Sequence, residues 1–313
     1  MVSGVLKASL NELNLSLTLL SGQAFRWRKR NDKQVWFGVI DSFVFDLRQN
    51  AELQTIEWTL LNHASNGNKR RKLNEEDIND ILIDYFNLNY SLSDLYNEWS
   101  KVDENFAKIA PNFLGVRVLR QNPHENLLSF ICSSNNNIQR ISKMIESLCT
   151  KYGTFLMTDD EFGDIHAFPE IKALCNADVE ADLRKLGFGY RSKFIAKSAK
   201  MVEEKSKTTE WLLSLREKKY DDAHFELMQL SGVGAKVADC VCLMSLDKSE
   251  AIPVDTHVWQ IATKMYLPHL KKNKSLTDKA YKEVADFFRH RFGDKAGWAH
   301  SVLFCSDLRQ FKK

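Results

Sequence analysis

Two residues in this sequence pair a candidate nucleophile with a candidate charge stabiliser, Lys236 and Asp255, and each stands at the start of a helical pattern. Ahead of Lys236, Gly232-Val233-Gly234 closes an apolar helical run from Phe225 to Leu230. Gly232 and Gly234 permit a tight turn with positive φ and leave the backbone amides uncovered. A turn that feeds a helix N-terminus presents unpaired N–H groups and the positive end of the dipole, which suits a phosphate. An ordinary helix-turn-helix with two glycines and no ligand has the same pattern. Lys236 is the residue that such a structural motif does not need. In the first turn of a helix the dipole disfavours an ammonium, and exclusion of water disfavours it further. Both effects favour the free amine that a Schiff-base nucleophile requires. Asp255 follows Pro253-Val254 and precedes the apolar periodicity of Val258, Ile261, Ala262 and Met265, so it reads as an N-cap. A capping carboxylate near an attacking lysine can also stabilise positive charge developing on a sugar.

The elements that must position this pair fall into two groups. Leu13 to Leu47 has strand texture: Leu13, Leu15, Leu17 and Leu19 alternate with polar residues. Phe25 to Arg28, Val35 to Ile40 and Phe43 to Leu47 follow with turns at Asn31-Asp32 and Asp41-Ser42, and strand-like Ile56 to Trp58 is expected to add one more to the same antiparallel set. Helices then run from Glu75 and through Leu92, Leu95 and Trp99. From Asn112 onward the pattern is nearly all helix. Asn122-Pro123 opens one helix with a cap and a proline at its first position; Ile138, Ile141, Met144, Ile145 and Leu148 line another. The fold class is therefore α+β: an antiparallel β domain with flanking helices over residues 1–112, and a larger helical domain over 113–313.

Composition bounds the rest. The chain has 313 residues, 44% hydrophobic and 27% charged, which describes a soluble globular protein with room for two cores. A net charge of +3 permits nucleic-acid binding without arguing for it. No run has the apolar length of a membrane span, and the N-terminus lacks a secretory pattern. Cys132, Cys149, Cys175, Cys240, Cys242 and Cys305 are scattered through apolar segments, so we expect buried free thiols. No second His/Cys pair accompanies Cys240 and Cys242 at ligand spacing, and no zinc site is expected. Lys69-Arg70-Arg71-Lys72 lies in a polar loop, a solvated segment or a nuclear-import or phosphate-contact patch.

Gly-Val-Gly-Ala-Lys-Val-Ala-Asp-Cys-Val-Cys-Leu-Met from Gly232, with Pro253-Val254-Asp255, resembles the eukaryotic 8-oxoguanine DNA glycosylase/lyases. These belong to the helix-hairpin-helix glycosylases with a Gly/Pro-rich loop and a catalytic Asp. The resemblance extends to Ser21-Gly22-Gln23-Ala24-Phe25-Arg26-Trp27 and to Ser133-Ser134-Asn135-Asn136-Asn137-Ile138. It implies that Lys236 attacks C1′ and that Asp255 stabilises the transition state. Gly22 would then accept the N7 proton of the oxidised purine, with Cys240 and Phe304 on the two faces of the extruded base and Met244 beside it. Asn135 would fill the vacated space, Arg140 and Arg191 would contact the orphaned cytosine, and Tyr190 would wedge between base pairs. Gly232, Val233, Gly234 and His257 would contact the backbone. His300 departs from the pattern, since the family position usually carries a glutamine that reads the purine edge.

The implied substrate is double-stranded DNA with 8-oxoguanine paired to cytosine. The chemistry needs no cofactor and no metal, although the hairpin carbonyls could hold a cation beside a phosphate. We expect a monomer, without membrane attachment, in the nucleus and also in the mitochondrion. A non-catalytic hairpin DNA-binding module would need neither Lys236 nor Asp255, and a monofunctional glycosylase would not need the hairpin lysine. A related glycosylase with a different damaged-base preference is the remaining alternative.

Overall fold

A computed structural model describes residues 2–32, 34–63, 73–206, 209–273 and 275–311. The basic loop at Lys69–Lys72 lies outside these residues. The N-terminal half is built on a five-stranded antiparallel sheet in the order β1-β5-β4-β3-β2. Its strands are β1 (Val2–Lys7), β2 (Arg28–Lys29), β3 (Val35–Ile40), β4 (Phe43–Asn50) and β5 (Thr55–His63). The Asp41-Ser42 turn joins β3 to β4, with Ile40 opposite Phe43 and Val35 opposite Arg48. One face buries Trp36, Phe45, Leu47, Ile56 and Trp58 against α1 (Leu15–Leu20) and α2 (Glu75–Tyr85).

Two early segments differ from the strands expected there. Leu15–Leu20 is a helix, N-capped by Asn14, whose side chain accepts from the Leu17 amide at 3.1 Å. Alternating leucines satisfy a period of two, yet Leu15 and Leu19 are also four apart and share one helical face, where both are buried. Phe25, Arg26 and Trp27 are buried but belong to no strand, and regular pairing begins only at Arg28. The strand β1, which pairs with β5 from Val2 opposite Leu60, was not legible from its mixed composition.

Helices α3 (Leu92–Val102) and α4 (Glu104–Ile109) precede residue 112, and their Leu92, Tyr96, Trp99 and Phe106 pack into the large helical core. That core is assembled from α5 (Pro123–Ile131), α6 (Ile138–Tyr152), α7 (Val179–Lys185), α8 (Arg191–Ser206), α9 (Glu210–Ser214), α10 (Tyr220–Met228), α11 (Ala235–Ser245), α12 (Thr256–Met265), α13 (Asp278–Phe292) and α14 (Ala296–Asp307). One hairpin interrupts the expected run of helices, β6 (Phe155–Asp159) with β7 (Gly163–His166). Its Leu156 and Ile165 join Phe37, Val39 and Val44 on the second face of the large sheet. Arg30 fixes the hairpin there with a bidentate pair to Asp159 at 2.8 and 3.1 Å.

Buried polar contacts carry the N-terminal segment to the helical half. Arg117, 1% exposed, donates to the carbonyls of Glu12, Asn87 and Tyr90 and to the Glu12 carboxylate. Gln23 donates to the Arg117 carbonyl at 2.6 Å and accepts from the Leu119 amide at 2.9 Å, which holds the Ser21–Gln23 turn against the start of the helical half. The helical assignment of Leu15–Leu20 has a direct test. Asn14→Ala should lower unfolding stability by about 1 kcal/mol in denaturant titration, whereas a strand at this position would show no loss of a cap.

Candidate active site

Helix α11 places the lysine. Residues 237–243 are all buried, so the helix is packed on every side and only its N-terminal turn reaches open space. Gly232, at φ +79, makes the turn into it; a Cβ there would stand 2.5 Å from the Phe194 ring. Lys236 Nζ donates to Ser133 Oγ at 3.2 Å and lies 4.9 Å above the Phe130 ring. Cys240, one turn later, lies on the same face of the helix. Burial pushes the Cys240 thiol up to about 12, and Lys236 opposes that shift, so the sulfur stays a protonated apolar wall.

Asp255 caps α12. Its Oδ1 accepts from the amides of His257 and Val258, each at 2.9 Å, which fixes the carboxylate plane. The capping role read from the sequence is present. Lys236 and Asp255 line one cleft of about 680 Å³, together with Gly22, Phe130, Ser133, Cys240, Met244, His257, His300 and Phe304. Gly22 arrives from the N-terminal half at φ +81, and a Cβ there would press on Ile138 at 3.1 Å. Phe130 and Ser133 were missed by the sequence reading. Both precede the asparagine run, and nothing in their spacing marks them.

His300 is 5% exposed; neither ring nitrogen makes a hydrogen bond of good geometry, and the Gly297 backbone is the polar group acting on the ring from its own helix. It stacks at 26° on Phe304 with centroids 6.4 Å apart and meets Phe288 edge-on. Burial lowers its pKa to about 4, with Asp255 pulling weakly the other way, so the imidazole is neutral near pH 7. A titration near neutrality, expected for an exposed imidazole, is thereby moved into the acid range. His257 Nδ1 donates to Asp307 Oδ2 at 2.7 Å, and the ring meets Phe304 edge-on.

The remaining predicted residues gather at a neighbouring ridge. Asn135 is exposed at φ +48, in the left-handed region that Asn tolerates. Tyr190, 49% exposed, donates to the Ser134 carbonyl at 3.1 Å. Arg191 is 3% exposed, packs at 4.5 Å over the Tyr190 ring and donates to the carbonyls of Ser134 and Asn135. In this state it braces two turns, and Arg140 reaches the Gly187 carbonyl at 3.4 Å across the same gap. Val233 is 7% exposed with its side chain in the core, so the hairpin offers a ligand its backbone. The Leu230 carbonyl accepts from the Val233 amide at 3.2 Å and the Ser231 carbonyl from Ser198 Oγ at 2.6 Å. Among the described residues no cluster of three His, Cys, Asp or Glu is arranged to hold a metal, and no helix is long and apolar enough to cross a membrane. All six cysteines are free.

With this geometry in hand, likeness to known proteins is decisive. The family model for the 8-oxoguanine DNA glycosylase N-terminal domain matches residues 5–127, and that for helix-hairpin-helix base excision DNA repair proteins matches 128–286. The chain belongs to the N-glycosylase/DNA lyase family of base-excision repair enzymes. It is 41% identical to the N-glycosylase/DNA lyase OGG1 of Arabidopsis thaliana over 97% of this chain and 80% of that protein. Its fold is similar to MBOgg1 bound to a low-affinity DNA ligand (TM-score 0.84, 29% identity, covering 100% and 97% of the two chains). It is also similar to the 8-oxoguanine glycosylase/lyase of Clostridium acetobutylicum bound to double-stranded DNA with cytosine opposite 8-oxoG (TM-score 0.80, 27% identity, 97% of each chain).

His300 makes a stability prediction of definite sign. The unfolded chain takes up the imidazole proton near pH 6.5 and the folded enzyme only near 4. Its contribution is therefore complete above pH 6.5 and falls as the pH drops toward 4. His300→Gln should flatten the loss of melting temperature across that window; an unchanged pH profile would contradict the burial argument.

Proposed function

We propose that this enzyme excises 8-oxoguanine, and formamidopyrimidine-guanine, from duplex DNA where cytosine stands opposite, acting as a monomer. The observation that carries the reading is the shared cleft: an amine, a carboxylate and two walls suited to a flat base, all supplied by one chain. A base inside a duplex exposes neither C1′ nor its edge to a side chain, so the nucleotide must leave the stack. Phe304 and Cys240 supply the walls for the extruded base, and the Gly22 carbonyl supplies an acceptor for the N7 proton that distinguishes the oxidised purine.

Lys236 in its free-amine form attacks C1′. The N–C1′ bond forms as the glycosidic bond breaks, and the base leaves with that electron pair and gains a proton. Asp255 stabilises the positive charge that develops on the sugar, with its carboxylate already oriented by two amides. Loss of the amine proton and ring opening give an imine. Removal of a C2′ proton then expels the 3′ phosphate, and water releases Lys236. The hairpin amides and His257 support the backbone of the flipped nucleotide, while Asn135, Arg140, Tyr190 and Arg191 stand where an orphaned cytosine would be met.

Incubation with 8-oxoguanine:cytosine duplex and borohydride tests the scheme. An adduct should form and disappear in Lys236→Gln with lesion binding retained. Asp255→Asn should keep the cap and slow excision by roughly 10²-fold or more. Excision should be fastest opposite cytosine. An undiminished adduct in Lys236→Gln, or equal rates opposite adenine and cytosine, would refute the corresponding assignment.

His300 favours a second reading of the pocket's selectivity. A neutral imidazole offers one donor and one acceptor on opposite sides of the ring, whereas an amide offers them side by side for the purine's O6 and N1–H. His300 therefore satisfies one of those groups directly, and discrimination at this edge should be weaker. His300→Gln should tighten 8-oxoguanine binding or leave it unchanged. Loss of excision in the folded variant would show a specific role for the imidazole.

A further inference from the structure

Behind the cleft lies a buried polar cluster that the scheme above does not use. Asp239 is wholly buried on α11, three residues after Lys236. Its two oxygens each accept from a tyrosine, Tyr220 at 2.6 Å and Tyr281 at 2.5 Å, with His224 Nε2 at 3.7 Å from Oδ1. Burial pushes the carboxyl up, and burial beside that carboxyl pushes both phenols far up, so the two hydroxyls keep their protons.

The two tyrosines differ in what else they touch. Tyr220 is joined from its other side by Arg289, whose Nη2 donates to it at 3.0 Å. Tyr281, on α13, accepts the Val254 amide at 3.2 Å and lies 3.3 Å from the Ile252 carbonyl. Those two peptide groups flank Pro253 and lead directly into Asp255. The segment 251–255 belongs to no helix or strand, and Pro253 has no N–H to tie it down. A buried amide in such a segment requires an acceptor, and a side chain supplies it.

We propose that Tyr281 is a positioning residue, whose hydroxyl, anchored on Asp239, holds the Val254 amide and so sets where Asp255 stands relative to Lys236. The helix that carries the nucleophile and the loop that carries the carboxylate are tied through one oxygen atom. The proposal rests on the roles given above to Lys236 and Asp255. A buried network of this kind stabilises any core, and Tyr220 separates the two functions, since it serves the same carboxylate without touching the loop.

The experiment uses the full chain, with Tyr281→Phe, Tyr220→Phe and Asp255→Asn. Single-turnover excision of 8-oxoguanine opposite cytosine is compared with borohydride trapping at a preformed abasic site, which needs Lys236 but no departure of a base. Tyr281→Phe should slow excision by about tenfold or more, because small displacements of a catalytic group are costly. Its lesion-DNA affinity and its trapping rate should stay within about threefold of the parent. Tyr220→Phe should leave the ratio of excision to trapping unchanged. Rates are taken per active molecule from the trapping amplitude, so partial unfolding does not enter the ratio. If Tyr281→Phe does not fold, Asp239→Asn, which keeps the volume and weakens the anchor, should lower the ratio in the same direction. An unchanged ratio in the folded Tyr281 variant, or an equal change in Tyr220→Phe, overturns the proposal. Should Asp255→Asn itself leave excision unaffected, the role of Asp255 fails, a result distinct from failure of the tyrosine tie.

Discussion

The structure depends on a helix that cannot turn. Seven consecutive residues of α11 are buried, among them Ala238, Asp239, Val241 and Cys242 with no exposure at all. Rotating such a helix to re-aim Lys236 would expose several apolar side chains, each worth about 1.5–3 kcal/mol, and would strand the Asp239 carboxylate in the core. The direction of the Lys236 side chain is therefore set by packing. Gly232 supplies the sharp entry into the helix. Around this fixed axis the other parts are brought in from outside: Asp255 by the loop leading into α12, Phe304 and His300 by α14, and Gly22 from the N-terminal half.

The arrival of Gly22 explains why a sheet belongs to this enzyme. The turn at Ser21–Gln23 is held by Thr18 on α1, through the bond from Ser21 Oγ to the Thr18 carbonyl at 2.8 Å, by Gln23 against Arg117 and Leu119, and by Gln121, which donates to the Gln23 carbonyl at 2.9 Å and to the Met244 carbonyl of α11 at 2.8 Å. The α1 helix is fixed in turn by the sheet side, where Gln49 of β4 accepts from the Leu15 amide at 2.9 Å. A displacement of the sheet would thus be transmitted to one wall of the base cleft. The β6–β7 hairpin adds a second clamp, since it grows from the helical half yet buries its apolar residues on the sheet.

Much of this was legible in the sequence wherever a local rule decides the outcome. The hairpin turn, the cap at Asp255, the Asn122-Pro123 start and the helix from Ile138 each follow from residues within a few positions of one another. The leucines of α1 were not, because a spacing of four fits a strand face and a helix face alike and only the Asn14 cap separates them. The β6–β7 hairpin was missed because its inward residues are few, and its stability comes from a sheet more than a hundred residues earlier. The same limit hid the partners of the active residues. Ser133 beside Lys236, Asp307 beside His257 and Tyr281 beside Asp239 are separated by 103, 50 and 42 positions. Spacing in the chain carries no trace of such pairs.

The cleft also has a consistent charge logic. Phe304, Phe130 and the protonated Cys240 are apolar, and burial keeps His300 neutral near pH 7. The Asp255 carboxylate lines the same cleft, in surroundings where water is displaced once a base enters and a charge acts at short range with little screening. A second titrating cation at position 300 would compete with the developing sugar cation for the Asp255 carboxylate. A neutral imidazole does not, and its ring nitrogens make no hydrogen bond of good geometry within the protein. Under the proposed scheme selectivity and catalysis draw on different groups of one pocket, His300 and the Gly22 carbonyl at the base and Lys236 and Asp255 at the sugar.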